Sequence, residues 1–176
     1  MISDFFFQIA GLKTLPRTGW KMKLNLKDSE SVAEHSYMMS VMAMVMSDMK
    51  NINTEKIIKM SILHDWAESK IGDFMPDEIT EDKKTELEEY AMTELLDELP
   101  SKIKNDYYNI WNDYKENLSE ESRFVHELDK LEMALQGKIY EKETDPEKIK
   151  PFIISAVEQI VNDDLKKVLI GILQKT

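Results

Sequence analysis

The chain has 176 residues, 42% hydrophobic and 32% charged, a composition typical of one folded globular domain. It contains no cysteine, which excludes thiol nucleophiles, disulfides and thiolate metal sites. Its formal net charge of -11 argues against binding a nucleic acid polymer, which requires clustered Lys and Arg. The longest apolar stretch, Met38 to Met46, is far shorter than the roughly 20 residues of a membrane helix, so we expect a cytoplasmic protein without membrane contact.

Apolar residues recur at steps of three and four along most of the chain, which predicts an all-α domain. The first predicted helix covers residues 3–13. Pro16 and Gly19 then predict an extended connector over residues 15–27, because both residue types interrupt helices.

Ser31 and Glu34 form a Ser-x-x-Glu capping box, which predicts a second helix from Val32 onward. This helix carries His35 on one stripe with four methionines that are predicted to be core residues: Met39, Met42, Met46 and Met49.

A third helix is predicted to begin at Asn53 or Thr54, either of which can cap it, and to continue to about Ile71. Gly72 and Pro76 are predicted to end it. The later predicted helices cover residues 80–99, 101–114, 120–141 and 146 to the C-terminus, with a break in the last near Asn162. The acidic run Asp77 to Glu89 is interpreted as a solvated helix and its approach, with a lid as the alternative.

The dipeptide His64-Asp65, together with His35 and the distant Asp129, could hold one divalent metal ion. Imidazole nitrogen and carboxylate oxygen are donors that such ions accept, and they can leave positions open for water and a phosphate oxygen. Considered alone, His35 would be interpreted as a hydrogen-bonded histidine at the edge of the core. Asp129 alone would be interpreted as part of a solvated helix face. The combined pattern favours a metallohydrolase.

Four motifs follow one another along the chain: Leu12-Lys13-x-x-Pro16-Arg17-Thr18-Gly19-Trp20, Glu30-Ser31-Val32-Ala33-Glu34-His35-Ser36, Leu63-His64-Asp65-x-Ala67-Glu68-x-x-x-Gly72-Asp73 and Phe124-Val125-x-x-Leu128-Asp129-x-x-Glu132-Met133. Together they resemble the HD-domain phosphohydrolases, in particular the small 5'-deoxynucleotidase branch. The resemblance implies an all-α, single-domain HD helical bundle. The motifs cover about residues 12–140, and we expect the helices of residues 146–176 to pack on this part within one domain, residues 1–176.

The resemblance also implies that one divalent metal cation (Mn, Co, Fe, Ni or Zn) is bound by the side chains of an H…HD…D set, which here are His35, His64, Asp65 and Asp129. Two coordination positions would remain for a water and a phosphate oxygen. His126 lies on the same helical side as Asp129, but the family motif has no matching histidine, so we do not expect it to bind the metal.

Four further residues receive predicted roles. Glu68, on the same helix face as His64, is predicted to be the general base. Asp73 would assist at the leaving 5' oxygen, with a turn aspartate as the alternative. Arg17 would bind the phosphate dianion with its planar guanidinium. Trp20 would form a wall against the sugar or base, or else a hydrophobic anchor for the connector.

The predicted function is therefore that of a metal-dependent 5'-deoxynucleotidase, which removes phosphate from small-molecule 2'-deoxyribonucleoside 5'-monophosphates. The alternatives are another HD-domain activity, deoxynucleoside triphosphohydrolase or phosphodiesterase, and a non-catalytic nucleotide-binding or structural metal protein. The acidic composition favours the monoesterase, because triphosphate cleavage requires more cationic side chains. Homodimers are usual among the resembling proteins, and we expect a homodimer here.

Overall fold

Helices build the whole architecture of the protein, whose computed structural model describes residues 1–75 and 78–175. In chain order they are α1 (Ile2–Ala10), a 3₁₀ helix (Gly11–Lys13), α2 (Thr18–Leu24), α3 (Val32–Lys50), α4 (Thr54–Leu63), α5 (Glu68–Ile71), α6 (Glu81–Asp97), α7 (Ser101–Lys115), α8 (Glu120–Tyr140), α9 (Pro146–Gln159) and α10 (Asp163–Leu173). Across these described ranges no strand forms, and Pro16 and Ser31 make an isolated bridge. The predicted all-α fold is confirmed.

Three of the residues that entered the helix predictions lie outside the described residues: Pro76, Asp77 and Thr176. Among the helices that the structure does describe, none combines the length and the apolar character needed to cross a bilayer.

Helix α8 lies at the centre of the bundle, where it packs against α3, α4, α7, α9 and α10. Its core face includes Leu128 and Leu131, both fully buried. Helices α3 and α4 also pack on one another, so that α3, α4 and α8 meet around the core. A second, smaller cluster joins α2, α8 and α9 through Trp20, Tyr140 and Ile149. This arrangement brings together the three helical segments that carry the predicted metal ligands.

Local capping explains where the central helices begin. The predicted capping box is present: the Ser31 N–H donates to Glu34 Oε2 at 2.7 Å, and the Glu34 N–H donates to Ser31 Oγ at 3.2 Å. Of the two candidate caps of α4, Asn53 accepts from the Lys56 N–H at 3.1 Å. The predicted break near Asn162 is confirmed, because Asn162 caps α10.

The predicted extended connector over residues 15–27 is wrong, because it contains helix α2. Pro16 precedes this helix, where it does not disturb the hydrogen bonds, and Gly19 is tolerated within it. Trp20 and Leu24 lie one helical turn apart, and their burial against other helices stabilises α2.

Two further expectations need correction. The third helix does not run unbroken to Ile71: α4 ends at Leu63, and residues 64–67 form tighter turns in which the Glu68 N–H donates to the Asp65 carbonyl at 3.1 Å. The predicted core stripe of α3 ends before Met49, which lies in the last turn of the helix and is 74% exposed.

Gly137 allows α2 and α9 to approach α8 closely. A Cβ atom at this position would lie 3.2 Å from Cγ2 of Ile149 and 3.5 Å from Cη2 of Trp20. The first distance is shorter than comfortable van der Waals contact, so a larger residue would force Ile149 outward.

We expect Leu131→Ala to lower the free energy of unfolding by about 2–5 kcal/mol, because it leaves a cavity beside fully packed side chains. Urea unfolding measures this loss. Ile139→Ala on the same helix is the control, since Ile139 is 49% exposed and its truncation should change the free energy by less than about 0.5 kcal/mol. Equal losses in the two variants would contradict the assignment of the α8 core face.

Candidate metal centre and active site

The four predicted metal ligands meet at one place in the structure. Ligand atoms of His35, His64 and Asp129 all lie within 4.8 Å of one another. His35 Nε2 is 3.3 Å from Asp129 Oδ1. Asp65 Oδ2 lies 3.0 Å from His64 Nε2 and 3.8 Å from His35 Nε2. Side chains from α3, α8 and the turn after α4 thus surround a common point.

Both imidazole rings are held in place through Nδ1. His35 Nδ1 is hydrogen-bonded to Glu132 Oε2 at 2.6 Å, and the two side chains are 0% and 1% exposed. His64 Nδ1 is 2.8 Å from the carbonyl of Ser61, one turn earlier in α4. A proton on each Nδ1 satisfies these two acceptors, so in both rings Nε2 is the nitrogen that faces the shared point.

The environment of the two Nε2 atoms fits a divalent cation. Both atoms are buried, and within residues 1–75 and 78–175 neither has a hydrogen-bond partner. A buried polar atom without a partner costs about 1–3 kcal/mol, and a cation would satisfy both nitrogens at once. Two nitrogens and two carboxylates form a donor set suited to first-row divalent ions.

Charge within the centre favours ionised carboxylates. Burial opposes ionisation of Asp65, but His64 and Arg17 hold its pKa below the usual value. Burial likewise opposes ionisation of Asp129, whose pKa Lys130 and His35 hold well below its usual value. Burial and Arg17 lower the pKa of His35, yet Asp129 and Glu132 outweigh them and raise it to about 9. A cation bound at His35 Nε2 must therefore displace a proton.

Arg17 lies beside the ligand carboxylates, at the residue that precedes α2. Its Nη1 is 3.4 Å from Asp65 Oδ2, and its Nη2 is 3.9 Å from Asp129 Oδ1. Burial disfavours the guanidinium charge, but Asp65 and Asp129 more than compensate, and the pKa of Arg17 is raised. The Arg17 N–H donates to the Glu30 carbonyl at 2.9 Å, which fixes this segment against the start of α3.

Glu68 and Asp73 lie on the same cavity as the ligand set. Burial and the nearby carboxylates of Asp65 and Asp73 raise the pKa of Glu68 well above its usual value. Its Oε2 is buried and has no hydrogen-bond partner in the part of the chain that the structure describes. Asp73 Oδ2 accepts from the Thr18 N–H at 2.6 Å, and its carbonyl accepts from Thr18 Oγ1 at 2.7 Å. Asp73 therefore also ties the segment after α5 to the start of α2.

Trp20 has the packing of an anchor and also lines the cavity. It is 2% exposed, and its indole N–H donates to Glu30 Oε1 at 2.8 Å. Its ring packs against Phe152 at a centroid distance of 4.2 Å and against Tyr140 at 5.5 Å. These contacts hold α2 on α8 and α9.

A cavity of about 540 Å³ extends from the ligand set, and sequence reasoning missed several residues around it. The lining includes Tyr114, Lys84, Lys130 and four side chains of α9. Glu132, behind His35, was also missed as a functional residue, although its position one turn after Asp129 was a signal that could have found it. The third histidine, His126, lines the cavity, but its Nε2 already donates to the Tyr114 carbonyl at 2.9 Å.

An all-helical domain in which the H…HD…D residues converge beside one cavity defines the class of this protein as a helical domain with a candidate metal centre. The family model described as "HD domain" matches residues 9–169. The chain belongs to the HD-domain family.

Curated relatives agree with this assignment. The chain is 37% identical over 163 residues to the mouse protein "5'-deoxynucleotidase HDDC2", covering 91% of this chain and 81% of that protein. It is 40% identical over 147 residues to the protein of the same name from Dictyostelium discoideum, covering 78% and 77%. The solved structure of the PH0347 protein from Pyrococcus horikoshii superposes with a TM-score of 0.79 at 28% identity, covering 98% of each chain. The predicted resemblance to the 5'-deoxynucleotidase branch is confirmed.

We expect Glu132→Gln to weaken divalent cation binding about 10- to 100-fold, because the amide removes the negative charge that orients His35. Titration calorimetry of Mn²⁺ into chelator-treated protein measures the affinity. Glu141→Gln, at the residue that directly follows α8, is the control, since Glu141 pairs with Lys138 at the surface. Unchanged affinity in Glu132→Gln, with the metal-free variant folded by circular dichroism, would show that Glu132 does not position the ligand.

Proposed function

We propose that this protein is a metal-dependent 5'-deoxynucleotidase, which hydrolyses the phosphate monoester of 2'-deoxyribonucleoside 5'-monophosphates to a deoxynucleoside and phosphate. The observation that carries the proposal is the meeting of the H…HD…D set with Arg17 and Glu68 on one cavity. The printed names of relatives at 37% and 40% identity support it. The proposal extends to the whole of residues 1–176 as one HD domain, in which α9 and α10 contribute to the core.

Four side chains would hold the cation, which is Mn, Co, Fe, Ni or Zn: His35, His64, Asp65 and Asp129. When bound, a divalent cation lowers the pKa of a coordinated water and stabilises charge on a phosphate oxygen. Glu132 and the Ser61 carbonyl keep the two imidazoles in the tautomer that can bind it.

Arg17 would bind the phosphate dianion of the substrate. Its guanidinium stays charged despite burial, and it is positioned against the ligand carboxylates by the backbone contact with Glu30. Three lysines also line the cavity: Lys84 and Lys130 are paired with carboxylates, at 3.5 Å from Glu88 and 2.9 Å from Asp129, and Lys23 is the third. Because carboxylates already neutralise two of these lysines, the remaining positive charge supports a monophosphate substrate over a triphosphate.

Glu68 would accept the proton of the attacking water at its buried Oε2. The raised pKa of this carboxyl group allows it to keep that proton once it has been transferred. Asp73 would then assist at the leaving 5' oxygen. Its contact with Thr18 also holds the segment that carries Arg17 in position. The predicted homodimer and the cytoplasmic location stay predictions.

We expect chelator-treated wild-type protein to release phosphate from deoxynucleoside monophosphates only after a divalent cation is restored. His64→Ala and Asp65→Ala should lose both cation binding and turnover, because each removes a ligand from the set. The assay is phosphate release over ribo- and deoxyribonucleoside mono-, di- and triphosphates, with metal content measured by mass spectrometry.

The matched control is His126→Ala, which removes the third histidine and should retain the cation. Turnover by metal-free protein would contradict the metal-dependent scheme. Faster release from triphosphates than from monophosphates would favour the alternative HD-domain activity.

We expect Glu68→Gln to lower kcat about 10²- to 10⁴-fold, because the amide cannot accept a proton. The bound cation should remain, which metal analysis of the same sample checks. Glu94→Gln is the control, since Glu94 is 46% exposed and lies 3.8 Å from Lys70. Wild-type kcat in Glu68→Gln would assign the proton transfer to another group.

A further inference from the structure

Helix α9 presents an uncharged wall to the cavity that holds the predicted metal centre. The charged side chains of the lining come from residues before α9, among them Arg17, Glu68 and Lys130. By contrast, α9 contributes Pro151, Phe152, Ser155 and Gln159, which the reaction described above does not use. The cavity therefore has a charged region that suits a phosphate and a neutral region that suits another part of the substrate.

The neutral region corresponds to one face of α9. Phe152, Ser155 and Gln159 are spaced by three and four residues, so their side chains project from the same side of the helix. The neighbouring positions have other environments: Ala156 is fully buried in the core, whereas Ile154 is 54% exposed to solvent. The cavity face of α9 is thus distinct from both its core face and its solvent face.

Packing holds this face in position. The Phe152 ring lies against the Trp20 ring at a centroid distance of 4.2 Å and an interplanar angle of 35°. Gln159 Nε2 donates to Ser155 Oγ at 2.7 Å, which links the two polar side chains. Met133 of α8 lines the cavity as well and adds a polarisable apolar group.

We propose that the cavity face of α9, formed by Phe152, Ser155 and Gln159, binds the nucleobase of the substrate. A base offers a flat π surface and a polar edge, which match an aromatic ring and an amide–hydroxyl pair respectively. This inference rests on the proposed function. It assigns residues to the nucleobase, the part of the nucleotide that the predicted catalytic residues do not contact.

The same chemistry indicates how selective the site is. An amide has both donor and acceptor atoms, and a hydroxyl can turn to donate or accept, so the pair can meet the edges of different bases. Gln159 is exposed, which leaves the outer side of the site open to solvent. The site therefore favours the presence of a base without selecting a particular one.

The experiment compares a deoxynucleoside 5'-monophosphate with 2-deoxyribose 5-phosphate, which carries the same phosphate and sugar but no base. In wild-type protein loaded with cation, kcat/KM for the nucleotide should exceed that for the sugar phosphate by about 5- to 100-fold, the size of a base–aromatic stack. Phe152→Leu keeps an apolar side chain against Trp20 but removes the π face. Phe152→Leu and Gln159→Ala should each reduce the ratio, with kcat/KM for 2-deoxyribose 5-phosphate unchanged.

Ile154→Ala is the control on the same helix, and its ratio should equal that of wild type because Ile154 faces solvent. Calorimetry of the same two compounds with cation-loaded protein that carries Glu68→Gln, in which turnover is slow, compares their affinities directly. If the nucleotide binds more tightly than the sugar phosphate, both α9 variants lose this preference and no phosphate is released, the proposed function fails while the inference about α9 stands.

Two results would overturn the inference. If Phe152→Leu and Gln159→Ala retain the wild-type ratio, the base lies elsewhere in the cavity. If either variant lowers kcat/KM equally for both compounds, the residue acts through the packing of α2 and Arg17 instead of through contact with a base.

Discussion

The site depends on the direction in which two buried imidazole rings point. His35 is fixed by Glu132 across the α3–α8 interface, and His64 is fixed by the carbonyl of Ser61 in its own helix. Both rings use Nδ1 for these bonds, so both direct Nε2 toward Asp129. Because the His35–Glu132 pair is completely buried, removing one partner would leave a polar group without compensation in the core. The packing of α3 on α8 and the geometry of the ligand set are therefore the same structural constraint.

An acidic protein with a net charge of -11 must attract an anionic substrate locally. Arg17 is the cation proposed to bind the phosphate here. It remains ionised because it lies beside two carboxylates from different parts of the chain, Asp65 and Asp129. The segment that carries it is attached to α3 through Glu30 and to the residues after α5 through the Thr18–Asp73 contacts. The groups proposed to bind phosphate and to move protons thus share one rigid frame.

Local sequence signals predicted the fold better than they predicted the surroundings of the site. The capping box at Ser31 depends on neighbouring residues, which a sequence displays directly. The H…HD…D set is spread over three helical segments, and it was predicted from the resemblance to the HD-domain family. Helix α2 was missed because its stability comes from burial of Trp20 against α8 and α9, a tertiary effect that outweighs Gly19. Glu132 belongs to the fourth motif but received no predicted role, because only the approach of α3 shows that it is buried against His35. The cavity face of α9 likewise exists only once α2 has packed beside it.

Gly137 makes the spacing between α8 and α9 depend on one residue that has no side chain. The close approach of Ile149 and Trp20 to its backbone sets how near α9 can come to α8, whereas the imidazole anchors lie earlier along α8 and on α3 and α4. A descendant with a larger residue here would hold α9 farther from α8 and widen the cavity beside α9, while the Nδ1 bonds of the two imidazoles keep their partners. A fold arranged in this way can diversify what it accepts without redesigning the chemistry that it performs.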